Sequence, residues 1–471
     1  MINSIHFGYA LFRRLGSDRR GATAIVFGLG ATALFGLIGL ATEGGSWYME
    51  KRNGQNAADA AAIAGALALV SGSTGSAAVT GATSLATSNG YSSGTVNGTA
   101  TSVVISYGTY STGSFTANTG SPNAIKAVIT RSPPRMFSKL FLGANPSISE
   151  SAVAIVDPNN NACVLAKTAG LSMAGSTQIN LSNCSMASNE TGPNSISFTG
   201  NKATVSGGTL VSSGGCSNCG NSSGYMLYQP PTTDPYLSIQ SVTMPPKAAS
   251  KTSCQNMPTI SGTVTLTSSY TYEGGGKMFC TGKYNGTTFT GDLTLSSGPT
   301  LNLTPGTYIF YDASFTVNGG ATLQCPTCTP GGAGVTIILT GDTTGSKSNI
   351  GTLSINGGAT VTLNAPATNS FNSAFNGVLF YMDKNALPTN GNGNAPVSLN
   401  GNGNVHLTGG MYFPSVNVNY SGNVASSNSA TACTEIIGYS VQFTGNSTMD
   451  ITGCTANGTK VATTQSVRLV Q

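Results

Sequence analysis

The longest apolar run in the chain lies near its start. From Gly21 to Thr42 there are 22 residues without a charge. As a helix they reach about 33 Å, enough to cross the hydrocarbon of a bilayer and longer than the apolar part of a cleaved secretion signal. Arg13, Arg14, Arg19 and Arg20 precede the run against the single Asp18, and Glu43 follows it. This asymmetry predicts residues 1–20 as a cytoplasmic basic stub, with everything beyond Thr42 on the outer side. Trp47, the only tryptophan, and Tyr48 stand at the outer end, where amphipathic rings favour the headgroup region. Ala24, Gly28, Thr32 and Gly36 recur every fourth residue, a stripe along which a second transmembrane helix could pack closely.

Past the run, Trp47 to Val70 holds no proline and many alanines, with Ala57, Ala61 and Gly65 again four apart. The pattern predicts a helix continuing out of the bilayer, so that residues 21–70 form one element. From Ser71 the periodicity changes. A helical patch ending at Asn89-Gly90-Tyr91 is followed by the alternating runs "TSVVISYG" and "NAIKAVITR", a short helix in "PPRMFSKLFLG", and the strand "SISESAVAIVD". Residues 71–157 are therefore expected to form a small α+β unit.

Beyond Asp157 one phrase returns: a short alternating strand, a glycine turn and a second short strand, as in "FTVNGGATLQ", "LSINGGATVTLNAP" and "VSLNGNGNVHLTGG". The turn glycines Gly175, Gly200, Gly319, Gly357, Gly401 and Gly445 give intervals of 25, 38, 44 and 44 between neighbouring phrases, leaving out the divergent stretch from Gly200 to Gly319. These values suit one or two coils of about 20–25 residues, the signature of a solenoid. Phe315, Val317, Leu353, Ile355, Val397, Leu399, Val441 and Phe443 are then expected to point inward and stack from coil to coil. The chain is thus predicted mainly β: a transmembrane helix, a small α+β unit, and over residues 158–471 a right-handed parallel β-helix, with a sandwich of short hairpins as the alternative.

Composition narrows the function. Only 7% of residues are charged, against about 25% in typical soluble proteins. A net charge of +5 spread over 471 residues leaves no basic stripe able to follow phosphates, which disfavours nucleic acid as a partner. All ten cysteines lie beyond residue 160, on the predicted outer side, where an even number favours disulfides. Nearest-neighbour pairing joins Cys163 to Cys184, Cys216 to Cys219, Cys254 to Cys280, Cys325 to Cys328 and Cys433 to Cys454. The two Cys-x-x-Cys pairs stand too far apart, and among too many Gly, Ser and Pro, to favour zinc. No metal or cofactor is expected.

Catalytic constellations are sparse. The two histidines are His6 in the basic stub and His406 in an alternating strand, which disfavours triad chemistry. No two acidic residues are closer than seven positions, although Glu273, Asp292 and Asp312 are spaced 19 and 20 apart, near one coil. A carbohydrate-active β-helix enzyme would need Asp292 and Asp312 to face each other in a groove beside a Lys or Arg. A carbohydrate-binding or adhesive β-helix would instead show Tyr308, Tyr311, Tyr381 and Tyr412 along one exposed face. The glycine triplet Gly274 to Gly276 lacks the Lys-Ser/Thr and helix of a phosphate cradle and reads as a turn.

One stretch carries a family likeness. "RRGATAIVFGLGATALFGLIGLATEGGSWYMEKRNGQNAADAAAIAGALAL" resembles the N-terminal segment of TadE/TadG-like proteins of the tight-adherence (Flp) pilus system: the Arg-Arg-Gly start at Gly21, the acidic Glu43, and an Asp-Ala-Ala motif at Asp59, Ala60 and Ala61. The unit up to Asp157 looks like the pilin-related portion of such proteins. "LTPGTYIF", "GVLFYMDK" and "GGMYFPS" are similar to a Gly-rich domain behind that anchor in some relatives. Pilin-like members carry Glu five residues after the glycine where the leader is cut; Val26 stands there in this chain, which favours an uncut, stationary anchor. Some relatives carry a metal-binding Asp-x-Ser-x-Ser loop. The nearest match, Asp312 to Thr316 in "DASFT", is expected inside a strand, and the metal is not carried over. The resemblance implies a single-pass inner-membrane protein whose bulk is periplasmic or surface-exposed. It would act as a non-catalytic accessory component of a Tad-type pilus or adhesion apparatus, with other membrane or pilus-assembly proteins as partners and a surface glycan as a further ligand.

Overall fold

The computed structural model describes residues 19–117, 120–200, 202–244, 262–266, 276–280, 282–284, 287–289, 292–344, 347–390, 392–402, 404–425 and 432–470. The chain is mainly β behind one long apolar helix, and it divides into two compact units. Unit 1 holds residues up to Asp157 together with Val467 onward; unit 2 runs from Pro158 to Ser466.

In unit 1 the helix α1 is continuous from Arg19 to Val70, about 78 Å long. Its two halves live differently. Ile25, Val26, Phe27, Leu29, Leu34, Phe35, Leu37 and Ile38 are all exposed, whereas Ala57, Ala58, Ala61, Ala62 and Ala66 are buried. The buried alanines meet Ala78, Ala82 and Ala86 of α2, Gly75–Ser88, an interface of methyl groups that lets the two helices come close. Thr74 caps α2, its hydroxyl accepting from the Ala77 N–H at 3.3 Å.

The helix pair covers one face of an antiparallel sheet. Its strands are β1 (Gly94–Val96), β2 (Thr99–Ser111), β3 (Ser114–Ala117), β4 (Ala124–Ser132) and β5 (Ile148–Ala166). β2 pairs with β1, β3 and β4, and β4 pairs with β5. Alternation decides the face: Ile125, Ala127 and Ile129 of β4, with Ala152 and Ala154 of β5, turn inward to the helices. A close approach explains one glycine: a methyl group at Gly65 would press on Ile125 and Ala82. The short helix expected in "PPRMFSKLFLG" is reduced to a single 3-10 turn, Ser138–Leu140. Pro133-Pro134 before it favour extended backbone, and Gly143 after it favours a stop.

Unit 2 is built from three parallel ladders. In the first, Thr307, Thr336 and their neighbours on 306–311 and 335–340 continue through Val378–Met382, residues 409–413, residues 434–438, the end of β5, and Ser185–Ser188 to Leu210–Ser212. The second links Leu293, Phe315, Leu353, Val397, Val418, Val441, Leu171, Ile196 and Cys216 in register. The third runs from Leu301 through Leu323 and Val361 to Val405, and separately from residues 424–425 through Ser447–Asp450 and Gln178–Ser182 to Thr204–Ser206. Antiparallel hairpins, which a sandwich would need throughout, are confined among the described residues of this unit to 282–284 with 287–289 and 343–344 with 347–348.

Register shows how the coils are counted. Along the second ladder, partners from Leu293 to Val441 are separated by 22, 38, 44, 21 and 23 residues. The intervals of 38 and 44 are single coils. Their extra residues leave the ladders in the connections 325–334, 341–352, 365–377 and 383–396. The last interval of 44 between turn glycines, from Gly401 to Gly445, is two plain coils.

The order of coils is not the order of the chain. Residues 162–226 build coils outward in one direction. The chain then resumes at Thr263, at the far side of the stack, and winds back until 434–450 pair with 164–182. The last coil is thus sealed against the first. Between them the backbone is not continuous, and ladder hydrogen bonds and side chains hold the junction: Phe443 and Val441 face Met173 and Leu171 in register, all buried.

Inside the stack the three ladders share one apolar core. The first ladder is buried on its outer side as well, under residues 236–244 and 371–375. That is why "VTIILT" and "VLFYM" lack polar alternation.

Candidate functional site

The residues that carry the family likeness are spread along α1, and Glu43 among them makes long-range contacts within unit 1. Gly39 and Glu43 sit one turn apart and are the first buried positions on α1; upstream of them the described residues of the helix are exposed or nearly so. The Glu43 carboxylate accepts from the backbone N–H groups of Met136, Phe137 and Ser138 at 2.9, 2.9 and 2.7 Å, and from the Ser138 hydroxyl at 2.8 Å. These are the amides leading into the turn Ser138–Leu140, so one side chain holds the entry to a helical turn that lies more than 90 residues further along. The Phe137 ring covers Gly39, where a methyl group would collide with it.

The brace falls where α1 is weakest. Gly44 and Gly45 follow directly, with open space around them. Each costs a helix interior about 1 kcal/mol relative to alanine. The loop braced by Glu43 closes on itself: Arg135 donates to the Asn145 side chain at 3.0 Å and to the Leu142 carbonyl, and the Leu142 N–H donates to the Ser138 carbonyl at 2.8 Å.

A second polar contact follows two turns on. Glu50 receives Arg131 at 3.0 Å and the Tyr91 hydroxyl at 2.9 Å, and the Arg131 guanidinium lies 5.0 Å over the Tyr91 ring. Burial, reinforced by the Glu50 carboxylate, pushes the Tyr91 phenol up to about 12. It therefore stays a donor at any physiological pH. Asp59 takes a hydrogen bond from Gln55 at 2.6 Å, and Gln55 also reaches the Ser151 carbonyl. Ala61 is buried in the helix interface, and Ala60 is half-buried. The Asp-Ala-Ala motif thus lies on the part of α1 that packs within unit 1.

Ala24, Gly28, Thr32 and Gly36 are all exposed, with nothing within 4 Å of a methyl group placed at Gly28 or Gly36. The Thr32 hydroxyl donates to the Gly28 carbonyl at 2.7 Å. Gly21 lies in the first turn of α1.

In unit 2 the residues singled out for sugar chemistry are engaged otherwise. Tyr308, Tyr311, Tyr381 and Tyr412 do share the first ladder, but all four are buried, and Tyr381 and Tyr412 stack at 5.8 Å under the covering segment. No exposed aromatic face results from them. Asp292 accepts from the Ser314 N–H and Asp312 from the Asp342 N–H, each across to the neighbouring rung of the ladders. Asp312 sits at a corner with φ 51°, between strands rather than inside one, because "DASFT" spans the bend from the first ladder to the second. Glu273 lies outside the described residues. His406 is exposed on the third ladder beside Thr362.

A polar cluster of unit 2 holds down the covering segment. Asp234 receives Lys167 at 2.6 Å and the Tyr412 hydroxyl at 2.7 Å, while Tyr236 fills the space over Gly410. Nearby, fully buried Glu435 accepts the Ala462 N–H at 2.6 Å. Burial drives the Glu435 carboxyl well above the usual carboxylate range. A polar groove of about 420 Å³ runs beside the second ladder, lined by Ser172, Ser197, Asn417, Asn419, Ser440 and Gln442 among others. Its apolar lining is slight, unlike a small-molecule pocket.

Cysteines Cys163 and Cys184, Cys216 and Cys219, Cys325 and Cys328, and Cys433 and Cys454 lie within disulfide reach, with Cα separations of 5.6, 5.9, 5.3 and 4.6 Å. Cys254 lies outside the described residues.

Sequence reading missed the partner of Glu43. The signal was present: "RMFSKLFLG" places five large apolar side chains beside two basic ones in a segment too short to bury them.

No curated protein and no solved structure matches this chain. Two family models do. Residues 21–68 match the one described as Flp pilus-assembly TadE/G-like, and residues 64–154 the one described as Tad-like Flp pilus-assembly. Both fall on unit 1, so residues 21–154 are similar to TadE/G-like Flp pilus-assembly proteins.

Proposed function

We propose that the chain is a membrane-anchored accessory component of a Tad/Flp-type pilus or adhesion apparatus, acting through protein contacts rather than catalysis. The observation that carries this reading is the pairing of two pilus-assembly matches with an apolar half-helix that the folded part of unit 1 leaves bare. The exposed run up to Leu40 fits a single pass through the inner membrane. The basic stub stays in the cytoplasm, and both units lie on the outer side, periplasmic or at the surface.

Unit 2 reads best as a right-handed parallel β-helix, supported by three parallel ladders around one core and by the usual hand of parallel crossovers. In an oxidising compartment its cysteine pairs are disulfides. A scaffold that offers serine and asparagine along its groove, with the tyrosines buried, suits display and protein contact better than stacking of sugar rings.

The stripe Ala24, Gly28, Thr32 and Gly36 is the surface for a partner membrane helix. Replacing Gly36 by leucine blocks close approach there while keeping the span apolar. Recovery of pilus-assembly membrane partners with the tagged chain is expected to fall several-fold, with the chain itself still in the membrane fraction. Unchanged recovery would contradict the stripe.

A further inference from the structure

One eight-residue loop of unit 1 breaks the rule that apolar side chains are covered. In the loop 135–142, Met136, Leu140 and Phe141 are 75%, 85% and 75% exposed, and Phe137 and Leu142 are also exposed. Nothing in the folding of unit 1 requires this, since Ser138 is the only buried residue of the loop. Exposed apolar residues scattered singly are ordinary, but five in eight positions form a patch that asks for an apolar surface.

Its location says which surface. Glu43 and Gly39 fix the loop against α1 where the helix's exposed apolar length ends, so the patch is continuous with that length. The 22-residue uncharged run spans about 33 Å, and positions 39–43 fall at its end, at the boundary between acyl chains and headgroups. Charge agrees: Lys139 is exposed within the patch and Arg135 flanks it, whereas the loop has no acidic residue. This is the composition of an interfacial membrane contact, with apolar side chains at the acyl boundary and basic ones toward lipid phosphates.

We propose that residues 135–142 form a second, monotopic membrane contact, laying Met136, Leu140 and Phe141 into the leaflet at the Glu43 end of the span. The inference rests on α1 crossing the bilayer. With two attachments at different points, α1 could not swivel freely at Gly44-Gly45, and unit 1 would be held in one orientation to the membrane plane. Glu43 is the positioning residue of this device.

The test places the only tryptophan in the loop. In the full chain carrying Trp47→Phe and Phe141→Trp, reconstituted into vesicles of phosphatidylethanolamine and phosphatidylglycerol, emission is read with brominated lipids. Leu140→Trp serves as a second reporter. Lipids brominated near the headgroup are expected to quench about twofold more than lipids brominated near the chain end, as for side chains about 5–10 Å deep. Emission that is insensitive to both lipids and open to aqueous iodide, in protein that still floats with the vesicles, overturns the loop contact and leaves the span standing, pointing to a protein occupant instead. Failure to float would overturn the span, and the loop contact with it.

Discussion

Replacing Phe443 by alanine is expected to destabilise unit 2 by about 3–5 kcal/mol, the range for truncating a fully buried aromatic side chain. The ring is completely buried, lies 5.3 Å from Tyr420, and is in register with Tyr420 on one side and Met173 on the other. What makes the position sensitive is the junction it occupies. Elsewhere in the stack neighbouring coils are consecutive in the chain, but 434–450 and 162–182 meet only through ladder hydrogen bonds and side chains. Denaturant unfolding of the full chain in detergent should show a lower midpoint. Limited proteolysis should open both ends of unit 2 together, around 162–182 and 434–450. A variant as stable as the parent would contradict the sealed junction.

Removing the cysteine pairs beside that junction is expected to cost about 3 kcal/mol each, from the entropy of a closed loop of this length. Cys163 with Cys184 and Cys433 with Cys454 each span a separation of 21 residues, one whole coil, and these are the two coils that meet. The paired serine substitutions Cys163→Ser with Cys184→Ser, and Cys433→Ser with Cys454→Ser, should each lower the thermal midpoint by several degrees. Cys216 with Cys219 and Cys325 with Cys328 close loops of three residues and should matter far less. Equal effects from long and short pairs, or midpoints unmoved by reductant, would refute the staple.

Much of this architecture was legible in the residues themselves. The uncharged run, the alanine face of the helix and the inward positions of the repeats follow from periodicity, which is a local signal. Phe315, Leu353 and Val397 stack as their alternation implies because a two-residue period leaves each strand one choice of face. What stayed hidden is non-local. No spacing links Glu43 to amides 93 positions away. The order of coils depends on where the chain re-enters the stack after residue 244, and no phrase in the sequence marks that place. The burial of Tyr381 and Tyr412 was hidden for the same reason: alternation shows that they leave the core, but not that a second segment then covers them, while Tyr308 faces the core itself.

The reading of α1 as an anchor with both units on its outer side is met most directly by one measurement on the native chain. Spheroplasts are treated with an external protease and with a membrane-impermeant thiol reagent, and the membranes are then extracted with carbonate. The account predicts a chain that resists extraction, loses its C-terminal units to the protease while keeping a short N-terminal fragment, and offers no free thiol among its ten cysteines. A chain released into the cytosolic fraction, protected from protease in whole cells and spheroplasts alike and carrying reduced cysteines, would contradict it.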